Sequence, residues 1–237
     1  MNNKNLNLTQ QVAESLGLAI VSGAYGPDNP VPSEAVICEQ MEVSRSAARE
    51  AVKSLAAKGL ISSRARQGIR ILPENEWNLF DDDVLRWMRD ANPSLQLLKE
   101  FAELRLAIEP EAAMLAAQRH NPQSITQISS ALEKMRLAET GLEDPLEADI
   151  NFHRSILAAS ENRFFMQLGR IIDTTLRVSI RFTNRRHGVQ AASYVEHKKI
   201  FDAIAAGDAE LAALSSKALM EDALETIRTA MEERSSA

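Results

Sequence analysis

Asp149 and His153 stand four residues apart, so on a helix both side chains leave one face and can grip a single ion. His197 belongs to a later helical stretch that could face them across a bundle. Arg105 sits among Leu98, Phe101, Leu104, Leu106 and Ile108, and an arginine buried there needs an anion. Either an internal glutamate or a bound carboxylate satisfies that need, and spacing does not choose between them. Arg177 and Arg181, one turn apart, are weaker candidates for the same work, with a solvated helix face as the equal alternative. A second chemistry is cationic. Arg45, Arg49 and Lys53 recur at i, i+4 and i+8, and Arg66-Gln67-Gly68 places another basic residue beside a turn-forming glycine. Taken alone, that helix face is ordinary solvated surface. Its position decides otherwise.

The elements around it run helix, short helix, turn, helix, hairpin. An apolar face repeats from Thr9 to Ser22; Ser33 caps a short helix to Met41; Ser44 caps another through Lys58, closed by Gly59. Residues 60–64 and 68–72 alternate as two short strands around a basic tip. Two helices with a tight turn put the start of the second in a DNA major groove, where Ser44, Arg45, Ser46 and Arg49 meet base edges or phosphates. Arg66, Gln67 and Gly68 then form the wing beside it.

Beyond the short polar stretch 73–78, read as a linker, no strand is expected. Helical periods occupy about 79–90, 94–118, 122–139, 143–159, 161–185, 188–206 and 208–233, punctuated by Asn92-Pro93, Asn121-Pro122, Gly141 with Pro145, and Gly207-Asp208. The expected fold is mainly α. A winged helix-turn-helix over 1–72 precedes an all-α antiparallel bundle of six to seven helices over 79–237.

Composition agrees. The chain has 237 residues, 45% of them hydrophobic, with one cysteine, and no apolar run suits a membrane span or a signal peptide. A soluble, cytoplasmic protein is expected. Its net charge of −6 argues against nucleic acid only until it is resolved by region. Residues 45–70 hold Arg45, Arg49, Lys53, Lys58, Arg64, Arg66 and Arg70 against the single acid Glu50, whereas the stretch beyond residue 72 is net acidic. Phosphate contacts need only a local basic face.

The run Val31-Pro-Ser-Glu34, Cys38-Glu, Val43-Ser-Arg-Ser-Ala-Ala-Arg-Glu-Ala-Val52, Gly59-Leu-Ile61 and Gln67-Gly68 resembles the winged helix of GntR-type bacterial transcription regulators. By that resemblance Ser33, Arg45, Ser46, Arg49, Gln67 and Gly68 fall at DNA-contact positions, and Ala35 stands where the family often has arginine. Glu103-Leu-Arg105, Glu109-Pro, Ala116-Ala117, Glu147-Ala-Asp-Ile-Asn-Phe-His153, Glu196-His197 and Ala203-Ile-Ala-Ala-Gly-Asp208 resemble the FCD ligand-binding domain of the FadR subfamily. Trp77-Asn and Asp83-Val-Leu-Arg-Trp87 resemble its galactonate-responsive, DgoR-like branch. The family's metal-binding members use one Asp and three His; here these correspond to Asp149, His153 and His197, with Leu219 in the fourth place.

The resemblance implies a homodimeric regulator, in such families most often a repressor, reading a palindromic double-stranded operator. A small carboxylate or sugar acid held by Arg105, Asp149, His153, His197 and Arg177 would release it. Zn²⁺ or a similar divalent ion is the implied cofactor, with direct hydrogen bonding of the sugar acid by the histidines as the alternative. The competing function is a metal-assisted hydrolase built on Asp149, His153 and His197; no general base stands at a recognisable spacing beside them.

Overall fold

The structure, a computed structural model, describes residues 6–64, 68–91, 93–187 and 193–235. The chain divides into two compact units, Met1–Asn92 and Pro93–Ala237.

In the first unit α1 (Leu8–Val21), α2 (Glu34–Gln40) and α3 (Arg45–Ala57) precede the antiparallel hairpin β1 (Ile61–Arg64) and β2 (Gly68–Ile71). Local chemistry sets each boundary. Asn7 and Gln10 form a capping box at α1, Ser33 accepts from Val36 N to start α2, and Ser44 accepts from Ala47 N at 3.2 Å to start α3. Val12, Leu16, Ile20, Ile37, Ala48, Val52, Leu55, Leu60 and Ile61 fill the core. Gly68 has φ +75°, as the wing turn requires; residues 65–67, and with them the expected contacts Arg66 and Gln67, lie outside the described residues.

The stretch expected as a linker is instead docked. Pro73 leads a 3-10 turn at Glu74–Glu76, Trp77 is buried with its Nε1 donating to Leu72 O at 3.0 Å, and Asn78 N donates to Lys58 O. A Cβ on Gly59 would fall against the Glu76 carbonyl oxygen, so a side chain there would push the segment away. The next helix, α4 (Asp82–Asp90), belongs to this unit as well, and the boundary therefore falls near 92 rather than at 73–78. Trp87 explains why. Its ring lies in a notch opened by Gly17 of α1, and it is flanked by Lys58, bonded to Asp81 and Asp83, and by Arg86, paired with Glu14.

Gly17→Ala tests that notch. Alanine is favoured in a helix by about 1 kcal/mol, but its Cβ would lie 2.5 Å from the Trp87 ring, and overpacking a full core costs about 1–3 kcal/mol. A net loss is expected, seen as a lower thermal midpoint for the first unit. An unchanged or higher midpoint would mean that the ring is not seated on α1.

In the second unit α5 (Leu95–Arg119), α6 (Pro122–Glu139), α7 (Pro145–Ala159), α8 (Arg163–His187), α9 (Tyr194–Ala206) and α10 (Ala209–Ser235) pack as a helical bundle. Asn121 and Asp144 cap α6 and α7 with proline at the first helical positions, and Gly207 closes α9 at φ +72°. Helices α5 and α10 pack along each other, while α6 lies on α7. Ala112, Ala116, Ile128, Leu132, Ile150, Phe152, Ile172, Leu176, Ile200 and Ile204 make the core, with Leu219 packed at its edge. Among the described residues no helix is long and apolar enough to cross a membrane.

Candidate functional site

In the first unit the basic residues converge on one cleft of about 790 Å³ between α2, α3 and the hairpin. Ser33, Arg45, Arg49 and Gly68 line it, joined by Lys53 and Arg64. Arg45 and Arg49 are exposed and have no acidic partner among the described residues, so both guanidiniums are available to a polyanion. Lys53 differs, pairing with Glu50 at 2.8 Å on the surface. Ser33 and Ser44 are engaged as helix caps, and the Ser44 hydroxyl also lies 2.9 Å from that of Ser46. Cys38 lines the same cleft, half-buried, rather than filling the core as a small hydrophobe would.

The second unit gathers its charge inside. Asp149 and His153 on α7, His197 on α9, and Arg105 and Glu109 on α5 are all buried, each 4% exposed or less. Asp149 Oδ1 lies 3.1 Å from His153 Nε2 and 3.3 Å from His197 Nε2, and the two nitrogens are 3.4 Å apart. Ligands at the corners of a tetrahedron around zinc, with Zn–N of 2.0–2.1 Å, stand about 3.3 Å from one another. The three atoms therefore have the spacing of one face of such a site.

Their partners point the same way. His153 Nδ1 is 2.5 Å from Glu109 Oε2, and His197 Nδ1 is 2.8 Å from the Ser193 carbonyl oxygen. Those acceptors place a proton on Nδ1 in both histidines, so the two Nε2 atoms, facing each other and the Asp149 oxygen, are the positions open to an ion or to a second proton. Asp149 Oδ1 is itself buried with no hydrogen bond of acceptable geometry. Three converging electron-rich atoms in a dry interior call for positive charge among them: Arg105 Nη2 approaches His153 Nε2 from one side at 3.3 Å, and Asp149 Oδ1 is left for a cation or a proton. Phe152 packs edge-on against both rings, at 5.8 Å from His153 and 5.1 Å from His197, and holds their planes.

The ionisation states follow from this packing. Burial raises the Glu109 carboxyl, but Arg105 and His153 outweigh it and hold it at about 2. Burial works against the His153 imidazolium, yet Glu109 and Asp149 raise it to about 9. Asp149 is held well below the usual carboxylate range by the two histidines, against its own burial.

Arg105 answers the choice left open by spacing. Its Nε donates to Glu109 Oε1 at 2.6 Å, Nη1 reaches Ser179 Oγ at 3.4 Å, and Nη2 lies 3.3 Å from His153 Nε2. An internal glutamate thus takes one edge of the fork while the other points toward the triad. Arg177 is engaged by Glu147 and by Asp173 Oδ2 at 2.9 Å, with its side chain 21% exposed. Leu219 supplies no ligand atom. Glu109, Ser179 and Phe152 complete the cluster and were not assigned a role from spacing; the Arg105/Glu109 interval of four was the available signal.

Residues 8–71 match the gntR family of bacterial regulatory proteins, and residues 100–233 match the FCD domain. The chain is 36% identical over 210 residues to the galactonate operon transcriptional repressor of Escherichia coli (strain K12), covering 87% of this chain and 91% of that one. It is 30% identical over 214 residues to the HTH-type transcriptional regulator LutR of Bacillus subtilis (strain 168), covering 86% and 95%. Among solved structures, one described as Lar, which controls the expression of the Listeria monocytogenes agr system, superposes with a TM-score of 0.58 at 20% identity over 96% of this chain and 99% of that one, a likeness of fold.

Proposed function

Because the chain belongs to the gntR family of bacterial transcription regulators and carries an FCD domain, we propose that it represses a sugar-acid catabolic operon and leaves its operator when a small carboxylate binds in the helical unit. It acts in the cytoplasm as a homodimer, each protomer presenting Arg45, Arg49 and the wing to half of a palindromic site. The printed function of its E. coli relative, repression of a galactonate operon, supports the sugar-acid class. Family membership also sets aside the hydrolase alternative.

The observation that carries the effector reading is the buried cluster of Asp149, His153, His197 and Arg105. Asp149, His153 and His197 would hold a divalent ion, Zn²⁺ or similar, and that ion would supply a Lewis-acid contact to a carboxylate or hydroxyl oxygen. Charge balance favours an anionic ligand there. With neutral imidazoles, Asp149 and Glu109 offset two of the three positive charges brought by Arg105 and the ion. A carboxylate neutralises the remainder, and the Nη1/Nη2 edge of the Arg105 fork, which otherwise meets Ser179 and His153 through long contacts of 3.4 and 3.3 Å, suits its two oxygens. Tighter binding of that carboxylate to the protein off DNA than on it is what lowers operator affinity.

The test uses full-length protein, DNA selected by that protein from random sequence, and D-galactonate with Zn²⁺ or with chelator. Galactonate should lower operator affinity by about 5–150-fold in the wild type. His153→Ala combined with His197→Ala should bind DNA normally and show no such response. Release at wild-type galactonate concentrations would defeat the effector site. Loss of DNA binding without ligand would make the ion structural.

A further inference from the structure

We propose that Glu109 is the positioning residue of the ion site, a role that rests on the reading of Asp149, His153 and His197 as ligands. Its carboxylate is shared. Oε1 accepts from Arg105 Nε at 2.6 Å and Oε2 meets His153 Nδ1 at 2.5 Å, with the side chain enclosed by the bundle. Arg105 is one helical turn away on α5, so one backbone segment presents both the guanidinium and the group that orients the histidine.

The two histidines are not equivalent. His197 Nδ1 faces the neutral Ser193 carbonyl oxygen, whereas His153 Nδ1 faces a carboxylate. A carboxylate opposite Nδ1 keeps the proton there, fixes the ring and makes Nε2 the stronger donor to an ion. Glu109 therefore does more than offset the charge of Arg105: it holds the His153 lone pair toward Asp149 and His197.

Glutamine separates these roles because an amide has one acceptor and one donor end. In Glu109→Gln its oxygen can serve either Arg105 Nε–H or His153 Nδ1–H, and its NH₂ must meet the other. If the amide retains Arg105, His153 is driven to carry its proton on Nε2, where the ion would bind. If it retains His153, the guanidinium loses its partner and the imidazole loses the charge opposite Nδ1.

Full-length protein stripped of metal is titrated with Zn²⁺ against a chromophoric chelator, and its Co²⁺ form is read by visible absorption. Glu109→Gln should bind Zn²⁺ about 10–100-fold more weakly and show altered Co²⁺ ligand-field bands, while metal-free circular dichroism stays unchanged. Histidine-selective ¹⁵N spectra of the wild-type Zn²⁺ form should show His153 protonated at Nδ1, with that proton further downfield than that of His197. This second measurement decides the matter even where the variant fails to fold. Unchanged Zn²⁺ affinity in a folded variant, or a wild-type His153 proton on Nε2, overturns the role of Glu109 and leaves the ion site standing. Failure of the wild type to bind Zn²⁺ removes both.

Discussion

Arg105→Ala should destabilise the helical unit by about 3–5 kcal/mol and abolish its response to carboxylates, the first effect visible as a lower calorimetric midpoint. The cost does not come from the lost attraction alone. Arg105 and Glu109 have both been taken out of water, and removing the arginine leaves a buried carboxylate whose remaining partner is His153. That partner is an imidazole already raised to about 9 by Glu109 and Asp149, so its charge offsets part of the carboxylate's and the loss should sit toward the lower end of the range. For a unit of this size each kcal/mol moves the midpoint by about 2–4 °C, giving a drop on the order of 10 °C. Arg105→Lys is the useful comparison. It restores the charge on a single point donor, so stability should recover in part, but a lysine cannot bond Glu109 while turning a second edge to a ligand, and carboxylate response should remain impaired. A drop below about 1 kcal/mol for Arg105→Ala would show that the guanidinium is solvated.

How far such groups were legible depended on the range over which their signals act. Ser33, Ser44, Asn121-Pro122 and Gly207 act through backbone groups within a few residues, and the helix ends predicted from them lie close to those observed. The Asp149/His153 interval likewise fixes a shared face whatever surrounds it. Contacts between distant segments left no such trace. Trp87 meets Gly17 across seventy residues of chain, and no period in either helix announces that a glycine in α1 is space reserved for an indole. By sequence the segment 73–90 therefore divides between a linker and the bundle, although burial of Trp77 and Trp87 ties it to the first unit. Glu109 was hidden differently. An Arg/Glu pair at i, i+4 has the same spacing on a wet helix face as inside a bundle, and only the burial of Leu98, Phe101, Ala112 and Ala116 along α5 makes this pair internal. Arg177 is the converse case, a plausible anion receptor by position that Glu147 and Asp173 already engage.

Arg45→Ala and Arg49→Ala should each weaken operator binding and relax base preference. A good bidentate contact from arginine to guanine carries about 1–3 kcal/mol of discrimination, and a two-fold complex loses that contact twice. Each substitution should therefore cost about 2–6 kcal/mol, from roughly 30-fold to 10⁴-fold in affinity. Salt dependence separates the kinds of contact. A lost phosphate contact reduces the slope of log affinity against log salt by about 0.9 and weakens all sequences alike, which is the pattern expected of Lys53→Ala if its ion pair with Glu50 opens onto the backbone. A lost base contact leaves most of the slope and removes preference at one position in each half-site. Arg45 and Arg49, one turn apart on the exposed face of α3 and without an acidic partner among the described residues, should follow the second pattern. If both variants bind selected DNA as the wild type does, with unchanged slope and preference, that face of α3 is solvated surface and the wing must carry recognition instead.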